Sequence, residues 1–272
     1  MTIKFKKIFL ISFIAIVTMY IFSGFLTPLI TTNYCISSSK IPKEFDGYVI
    51  VQLSDFHCNQ FGDNEEELIH RIQNANPDII VLTGDFIDAN PKHNIENLEL
   101  LFKGITSIAP TYYITGNNEY YLEAPFDTAK RLCKEYGVEY LKNRTVSIFN
   151  NGSSIQLSGL DDLNFKSDLK NTLGYANTDD YNILLFHRAD YFDFVCNYNY
   201  DLVLSGHTHG GIVRLPFIGG LFGNENMLFP KYDYGLFSKK GSVLISSSGL
   251  GNSSIPRFNN PYEIVRITLQ SE

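Results

Sequence analysis

Residues 48–57 read YVIVQLSDFH, an apolar run that stops at Asp55 and His57. A short run of this kind, closed by polar residues, predicts a β-strand. The arrangement returns as DIIVLTGD over 78–85, YYITGNNE over 112–119, NILLFH over 182–187 and LVLSGHTH over 202–209. Five strand ends therefore carry Asp55 and His57, Gly84-Asp85, Gly116-Asn117-Asn118-Glu119, His187, and Gly206-His207-Thr208-His209. The chain has only six histidines, and four of them fall at these ends, where chance would scatter them.

Between the strands, Asp63 to Ala75 predicts a helix with Leu68, Ile69, Ile72 and Ala75 on one face and Asp63 with Glu66 as a capping pair. Helices are also expected over 95–107 and near 126–136. Val146-Ser-Ile-Phe149, the turn Asn150-Asn151-Gly152 and Ile155-Gln-Leu-Ser158 then predict a hairpin, and strands over 243–247 and 262–269 close the domain. This order fits a mixed α/β fold with two sheets better than one parallel sheet. In α/β folds the carboxyl ends of strands open into the crevice where ligands bind, because side chains there are rigidly held yet reach solvent.

At 272 residues, 44% hydrophobic and 14% aromatic, the chain can bury the core of one sizeable domain, expected over residues 46–272. A net charge of -7 argues against nucleic acid as a non-specific partner, since phosphate binding needs a basic surface. The amino terminus reads separately. From Ile8 to Ile30 there is no charge, and roughly 23 residues at about 1.5 Å each suffice to span a bilayer. Lys4, Lys6 and Lys7 precede this stretch, which predicts a cytoplasmic tail over 1–7, a single-pass transmembrane anchor over 8–30, and the domain outside the cytoplasm. A cleaved signal peptide would have a shorter apolar core and a small-residue cleavage site. Residues 31–45 are expected to be a tether. Cys35, Cys58, Cys133 and Cys196 lack C-x-x-C spacing and imply neither a zinc knuckle nor a disulfide framework.

Taken singly, Asp-x-His and Gly-Asp are common turns and a lone histidine is commonly a core residue. As a set, carboxylates, an amide and imidazoles at strand ends are hard-to-borderline ligands suited to manganese, iron or zinc. They read as one site for two divalent metal ions, where a carboxylate bridges and imidazoles each take one ion.

With these motifs, the chain resembles the calcineurin-like metallophosphoesterases, specifically a bacterial membrane- or wall-associated branch similar to UDP-2,3-diacylglucosamine-hydrolase-like phosphoesterases. The resemblance spans roughly residues 47–269 and includes Gly210-Gly211-Ile-Val-Arg214-Leu-Pro216 and Gly249-Leu-Gly251 through Ile255-Pro-Arg257-Phe-Asn-Asn-Pro261. It implies two packed mixed β-sheets flanked by helices. It further implies that Asp55, His57 and His209 hold one metal, that Asn117, His187 and His207 hold the other, and that Asp85 bridges both. The activity implied is hydrolysis of a phosphodiester or pyrophosphate by a hydroxide shared between the metals, attacking phosphorus in line. The substrate would be a phosphoester, lipid-linked or from the cell envelope.

One position departs from the family pattern, which has histidine where this chain has Asn118. An amide donates a hydrogen bond but delivers no proton at neutral pH. Asn118 and Glu119 are therefore the expected catalytic pair, Glu119 orienting a hydrogen-bond donor instead of an acid, with His70 and His93 as weaker candidates for the missing acid. The competing reading is a metal- or phosphate-binding module that lost turnover through Asn118. Arg214 and Arg257 are candidate phosphate clamps or structural ion pairs. Residues 216–237, rich in Phe and Tyr, are expected to be a long loop packed near the metals, either as an apolar wall for substrate or as a satellite hydrophobic cluster.

Overall fold

Unbroken apolar runs, rather than alternating ones, mark strands covered on both faces. The computed structural model describes residues 3–88, 95–121, 123–224 and 227–272. Its strands are β1 (Leu29–Ser38), β2 (Val49–Leu53), β3 (Ile79–Thr83), β4 (Thr111–Ile114), β5 (Glu139–Tyr140), β6 (Arg144–Asn150), β7 (Ser153–Leu160), β8 (Asn182–Arg188), β9 (Leu202–Gly206), β10 (Arg214–Leu215), β11 (Gly219–Gly220), β12 (Gly235–Lys239), β13 (Ser242–Ser246) and β14 (Tyr262–Ser271). The main helices are α1 (Ile3–Gly24), α2 (Glu66–Asn74), α3 (Ile95–Thr106), α4 (Asn117–Tyr121) and α5 (Glu123–Tyr136).

Two six-stranded mixed sheets result, ordered β1-β14-β2-β3-β4-β5 and β12-β13-β9-β8-β7-β6. Successive side chains on a strand point to opposite faces. Ile50, Val81 and Ile114 thus meet Ile183, Leu185, Leu204 and Ile245 between the sheets. Val51, Leu53, Ile80 and Leu82 face the other way, under Leu68, Ile72, Leu98, Leu101, Phe102 and Leu132 of α2, α3 and α5. On the outer face of the second sheet, Leu184, Phe186, Val203 and Leu244 pack with Phe192, Val195 and Tyr232. The fold is therefore the expected pair of packed mixed sheets flanked by helices. A buried cross-sheet bond from Gln52 Nε2 to the Ser205 carbonyl (2.9 Å) ties β2 to β9.

The expected hairpin forms with Asn151 and Gly152 both at positive φ (47° and 91°), the requirement of a two-residue type I′ turn. Two expectations change. Residues 31–45 are no free tether: Leu29–Ser38 pairs in parallel along its whole length with β14, so its backbone bonds are made by a strand more than two hundred residues away. The apolar helix accordingly ends at Gly24, not Ile30, while remaining long and apolar enough to cross a membrane, with its side chains exposed. Nor do Asp63 and Glu66 cap α2. Asn64 and Glu65 adopt left-handed backbone (φ 55° and 61°), and no side chain bonds the helix start.

Glu65 is turned inside by that kink. Its Oε2 accepts the Phe61 N–H (3.1 Å), while Oε1 is buried without a partner. Burial pushes its carboxyl up to about 7. The folded state then binds the proton more tightly than the unfolded chain, so Glu65 stabilises fully below its ordinary pKa of 4.5 and loses that contribution as pH rises to about 7. Chemical denaturation between pH 4.5 and 8 should show a fall of about 3 kcal/mol that Glu65→Gln flattens. An unchanged slope in the variant would remove Glu65 as its source.

Candidate metal centre

Side chains from both sheets converge where parallel strands end. Asp55 and His57 follow β2, Asp85 follows β3, Asn117 begins α4 after β4, His187 lies near the end of β8, and His207 and His209 follow β9. All seven are buried. A register shift in the β8–β9 pairing between Leu185 and Arg188 alters the local pleat at His187.

Two groups form, Asp55 with His57 and His209, and Asp85 with His187 and His207; within each, one ligand atom per residue lies within 4.8 Å of the others. Asp85 Oδ2 reaches across, 3.2 Å from His187 Nε2 and 3.9 Å from His57 Nε2. Asp55 Oδ1 lies 3.5 Å from His209 Nε2 and 3.9 Å from His187 Nε2. His57 and His209 stack with their Nε2 atoms 3.2 Å apart. Asn117 Oδ1, His187 Nε2, His207 Nδ1 and His209 Nδ1 are buried with no hydrogen-bond partner.

Leaving such atoms unpaired costs roughly 1–3 kcal/mol each, and cations at the centre would remove that cost for Asn117 Oδ1, His187 Nε2 and His207 Nδ1, while His209 presents Nε2 beside Asp55 and His57. The donor chemistry therefore fits two divalent ions. His187 Nδ1–H donates to the Thr83 carbonyl (2.8 Å), so Nε2 is the nitrogen that faces the centre. Burial holds His207 and His209 well below the ordinary imidazole range, so both keep a lone pair for coordination at neutral pH. At His187 burial disfavours charge too, but the carboxylates of Asp85 and Asp55 outweigh it and raise the ring to about 10.

Backbone conformation is unusual at the same positions. Asp55, His57, Asp85, His207 and His209 all have positive φ, between 47° and 71°, a region that costs non-glycine residues free energy. Glycine gives the carboxylates room. A Cβ on Gly206 would stand 2.1 Å from Asp55 Oδ2, and one on Gly116 would stand 2.2 Å from Asp85 Oδ1.

Asn118 lies at this centre, its Nδ2 donating to Asp85 Oδ2 (2.9 Å) and its N–H to Asp85 Oδ1 (2.9 Å). Glu119 does not orient it. Successive side chains on a helix diverge by about 100°, and Glu119 turns back to accept four main-chain N–H bonds, from Asp85, Phe86, Ile87 and Gly116 (2.6–3.1 Å). It is a positioning residue. His70 is exposed on α2 beside Asn74, outside both groups; His93 lies outside the described residues. Arg214 pairs with Asp233 (2.7 Å), and buried Arg257 donates to the carbonyls of Ser248, Gly249, Gly251 and Pro261; both are structural. Cys58 is a packed thiol that burial pushes up to about 12.

Sequence reasoning missed Arg188. Its guanidinium is buried, held in a fork by Asp162 (2.6 and 3.1 Å), with Nη1 3.5 Å from His207 Nε2. It lines a cavity of about 520 Å³ with Asn117, Tyr120, Phe165, Lys166 and Tyr191. Its signal was an arginine directly after the candidate ligand His187 in an otherwise apolar strand.

Among known proteins, the family model for calcineurin-like phosphoesterases matches residues 48–211. The uncharacterized metallophosphoesterase YkuE of Bacillus subtilis (strain 168) is 34% identical, over 93% of this chain and 90% of that protein. Cj0846 of Campylobacter jejuni, also named an uncharacterized metallophosphoesterase, is 30% identical over 98% of this chain and 71% of its own. Among solved structures, TT1561 of Thermus thermophilus superposes with a TM-score of 0.50 at 12% identity, covering 75% of this chain and 90% of that one, a likeness of fold alone.

Metal binding should be visible as stability. Manganese at a hundredfold excess over its Kd is worth about 2.7 kcal/mol, which at roughly 2–4 °C per kcal/mol is a rise of several degrees in Tm over the chelated protein. Asp85→Asn and His207→Ala should each shrink that rise; equal melting with and without several divalent metals would rule out a metal centre.

Proposed function

This chain belongs to the calcineurin-like phosphoesterase family, and on that premise we propose that it hydrolyses a phosphodiester or pyrophosphate bond at a dinuclear centre facing a membrane surface. The observation that carries this reading is the buried convergence of two carboxylates, an amide and four imidazoles, among which Asn117 Oδ1, His187 Nε2 and His207 Nδ1 have no hydrogen-bond partner. Asp55, His57 and His209 would hold one ion and Asn117, His187 and His207 the other, with Asp85, whose Oδ2 reaches toward both His187 and His57, placed to serve both. Two divalent cations supply Lewis-acid polarisation of phosphoryl oxygens and bring a water's pKa toward neutrality.

The chain's own groups do the rest. Glu119 fixes the turn that carries Asp85. Arg188, its fork set by Asp162, presents positive charge at the cavity wall beside His207, where it neutralises a phosphoryl oxygen. The cavity beyond, walled by Tyr120, Phe165 and Tyr191, accommodates the organic group on the far side of phosphorus, which supports a diester or pyrophosphate over a bare monoester. Asn118 donates a hydrogen bond but no proton, so the leaving group departs as an anion. The apolar helix α1 supports a single-pass anchor, and Lys4, Lys6 and Lys7 in its first turns support a domain on the non-cytoplasmic side.

Full-length protein in detergent with manganese should hydrolyse bis(p-nitrophenyl) phosphate; activity that is absent with every metal tried, or indifferent to Asp85→Asn, would refute the reading. Across aryl phosphodiesters the rate should fall steeply as leaving-group pKa rises, and Asn118→His should flatten the slope. A flat dependence in the unmodified enzyme would show that another group supplies the proton. Arg188→Lys, which loses the fork, should lower kcat/KM by about tenfold or more; Asp162→Asn should have a smaller effect in the same direction, and unchanged kinetics in both would remove Arg188 from the substrate site.

A further inference from the structure

The aromatic residues between 216 and 237 do not behave alike. Tyr232 is buried in the outer core of the second sheet. Phe217, by contrast, is fully exposed at the tip of the β10–β11 hairpin, with Ile218 beside it at 59% exposure and Leu228 and Phe229 on the return at 63% each. Phe217 also sits at positive φ (68°). Residues 215–223, LPFIGGLFG, contain no charge. Leu228 and Phe229 belong to the same surface, since Phe222 bridges Leu228 and the Phe229 N–H bonds the Leu221 carbonyl (3.0 Å).

This surface is joined to the end of α1. Arg214 N–H bonds the Phe258 carbonyl (2.9 Å), and Asn259 N–H bonds the Gly24 carbonyl (2.7 Å). Asn259 Nδ2 donates to the Tyr20 hydroxyl (2.7 Å) and to the Arg214 carbonyl (3.3 Å), bridging helix and hairpin. The Phe258 ring packs edge-on against Tyr20 and Phe25 (5.8 and 5.1 Å). Tyr20 lies one turn inside the helix end, so the hairpin starts level with the last turn of the apolar helix. Only four residues separate Gly24 from β1, a reach of at most about 14 Å. On its other side the hairpin abuts the metal centre: a Cβ on Gly211, two residues after His209, would meet Gly220 Cα at 2.4 Å.

We propose that the β10–β11 hairpin, through Phe217, Ile218, Leu228 and Phe229, is a second contact with the lipid bilayer, holding the metal-bearing edge of the domain against the membrane interface. The inference deepens the proposed function and rests on α1 crossing the membrane. The occupant is lipid because the apolar surface continues from a membrane-spanning helix through direct hydrogen bonds, and because a helix already in the bilayer supplies the first of the two signals that stable membrane apposition takes. A centre so placed acts on phosphoesters presented at the bilayer surface.

The chain contains no tryptophan, so single reporters are clean. Full-length Phe22→Trp, Phe217→Trp and Phe149→Trp variants, the last at an exposed position on the edge strand β6, are reconstituted in phosphatidylcholine vesicles with and without brominated acyl chains. Phe217→Trp should emit at shorter wavelength than Phe149→Trp and show at least half the bromolipid quenching of Phe22→Trp, with Phe149→Trp unquenched. Quenching at 22 but not at 217 overturns the hairpin contact and leaves the anchor standing. No quenching at 22 overturns the anchor and the proposal with it. Equal quenching at 149 and 217 also overturns it, as the domain then has no preferred face. Unchanged hydrolysis of bis(p-nitrophenyl) phosphate by Phe217→Trp reports that the reporter leaves the centre intact.

Discussion

A carboxylate that accepts four main-chain N–H bonds ties the turn after β3 to the turn after β4. Without Glu119 those amides would be buried unpaired in a region where neither strand pairing nor a helix can satisfy them. With it, Asp85 is held at a fixed distance from Asn118 and His187, and the two strand ends behave as one rigid rim. The other sheet is brought to the same rim by the Asp55 carboxylate, whose two oxygens accept the His207 N–H (3.1 and 3.2 Å). Each ligand group thus leans on a backbone bond from the neighbouring one.

Such an arrangement opposes stability locally. Five of the candidate ligand residues occupy left-handed backbone, and several donor atoms point at one another instead of at partners. At roughly 1–3 kcal/mol for each strained residue, the centre persists because three apolar layers, between and outside the sheets, over-determine the strands that carry it. A cation bound among these donors would return part of that cost, coupling occupancy to folding.

The convergence of these seven side chains was legible because each sits at or within a few residues of a strand end, and an apolar run that ends in Asp or His announces itself without any knowledge of tertiary structure. Asn118 and Glu119 were legible as a pair but not in their division of labour, since adjacency in sequence suggested a relay that helix geometry forbids. Arg188 and Asp162 were missed as partners because the fork between them spans 26 residues and two strand ends. Likewise β1 was unreadable: LITTNYCISS is polar and uncharged, and only its distant neighbour Tyr262–Ser271 makes a strand of it. The aromatic stretch 216–237 carried both of the readings weighed for it, because the sequence cannot tell Tyr232, which packs, from Phe217, which does not.

The position of β14 between β1 and β2 has a consequence for biogenesis. The first sheet cannot close until residues 262–271 have been made, because the strand nearest the apolar helix has no other neighbour to pair with. Contacts of such long sequence separation form late and slowly. Until those residues are available β2, whose end carries Asp55 and His57, has only β3 beside it and remains an edge strand, so the first sheet reaches its full width only when the end of the chain joins it.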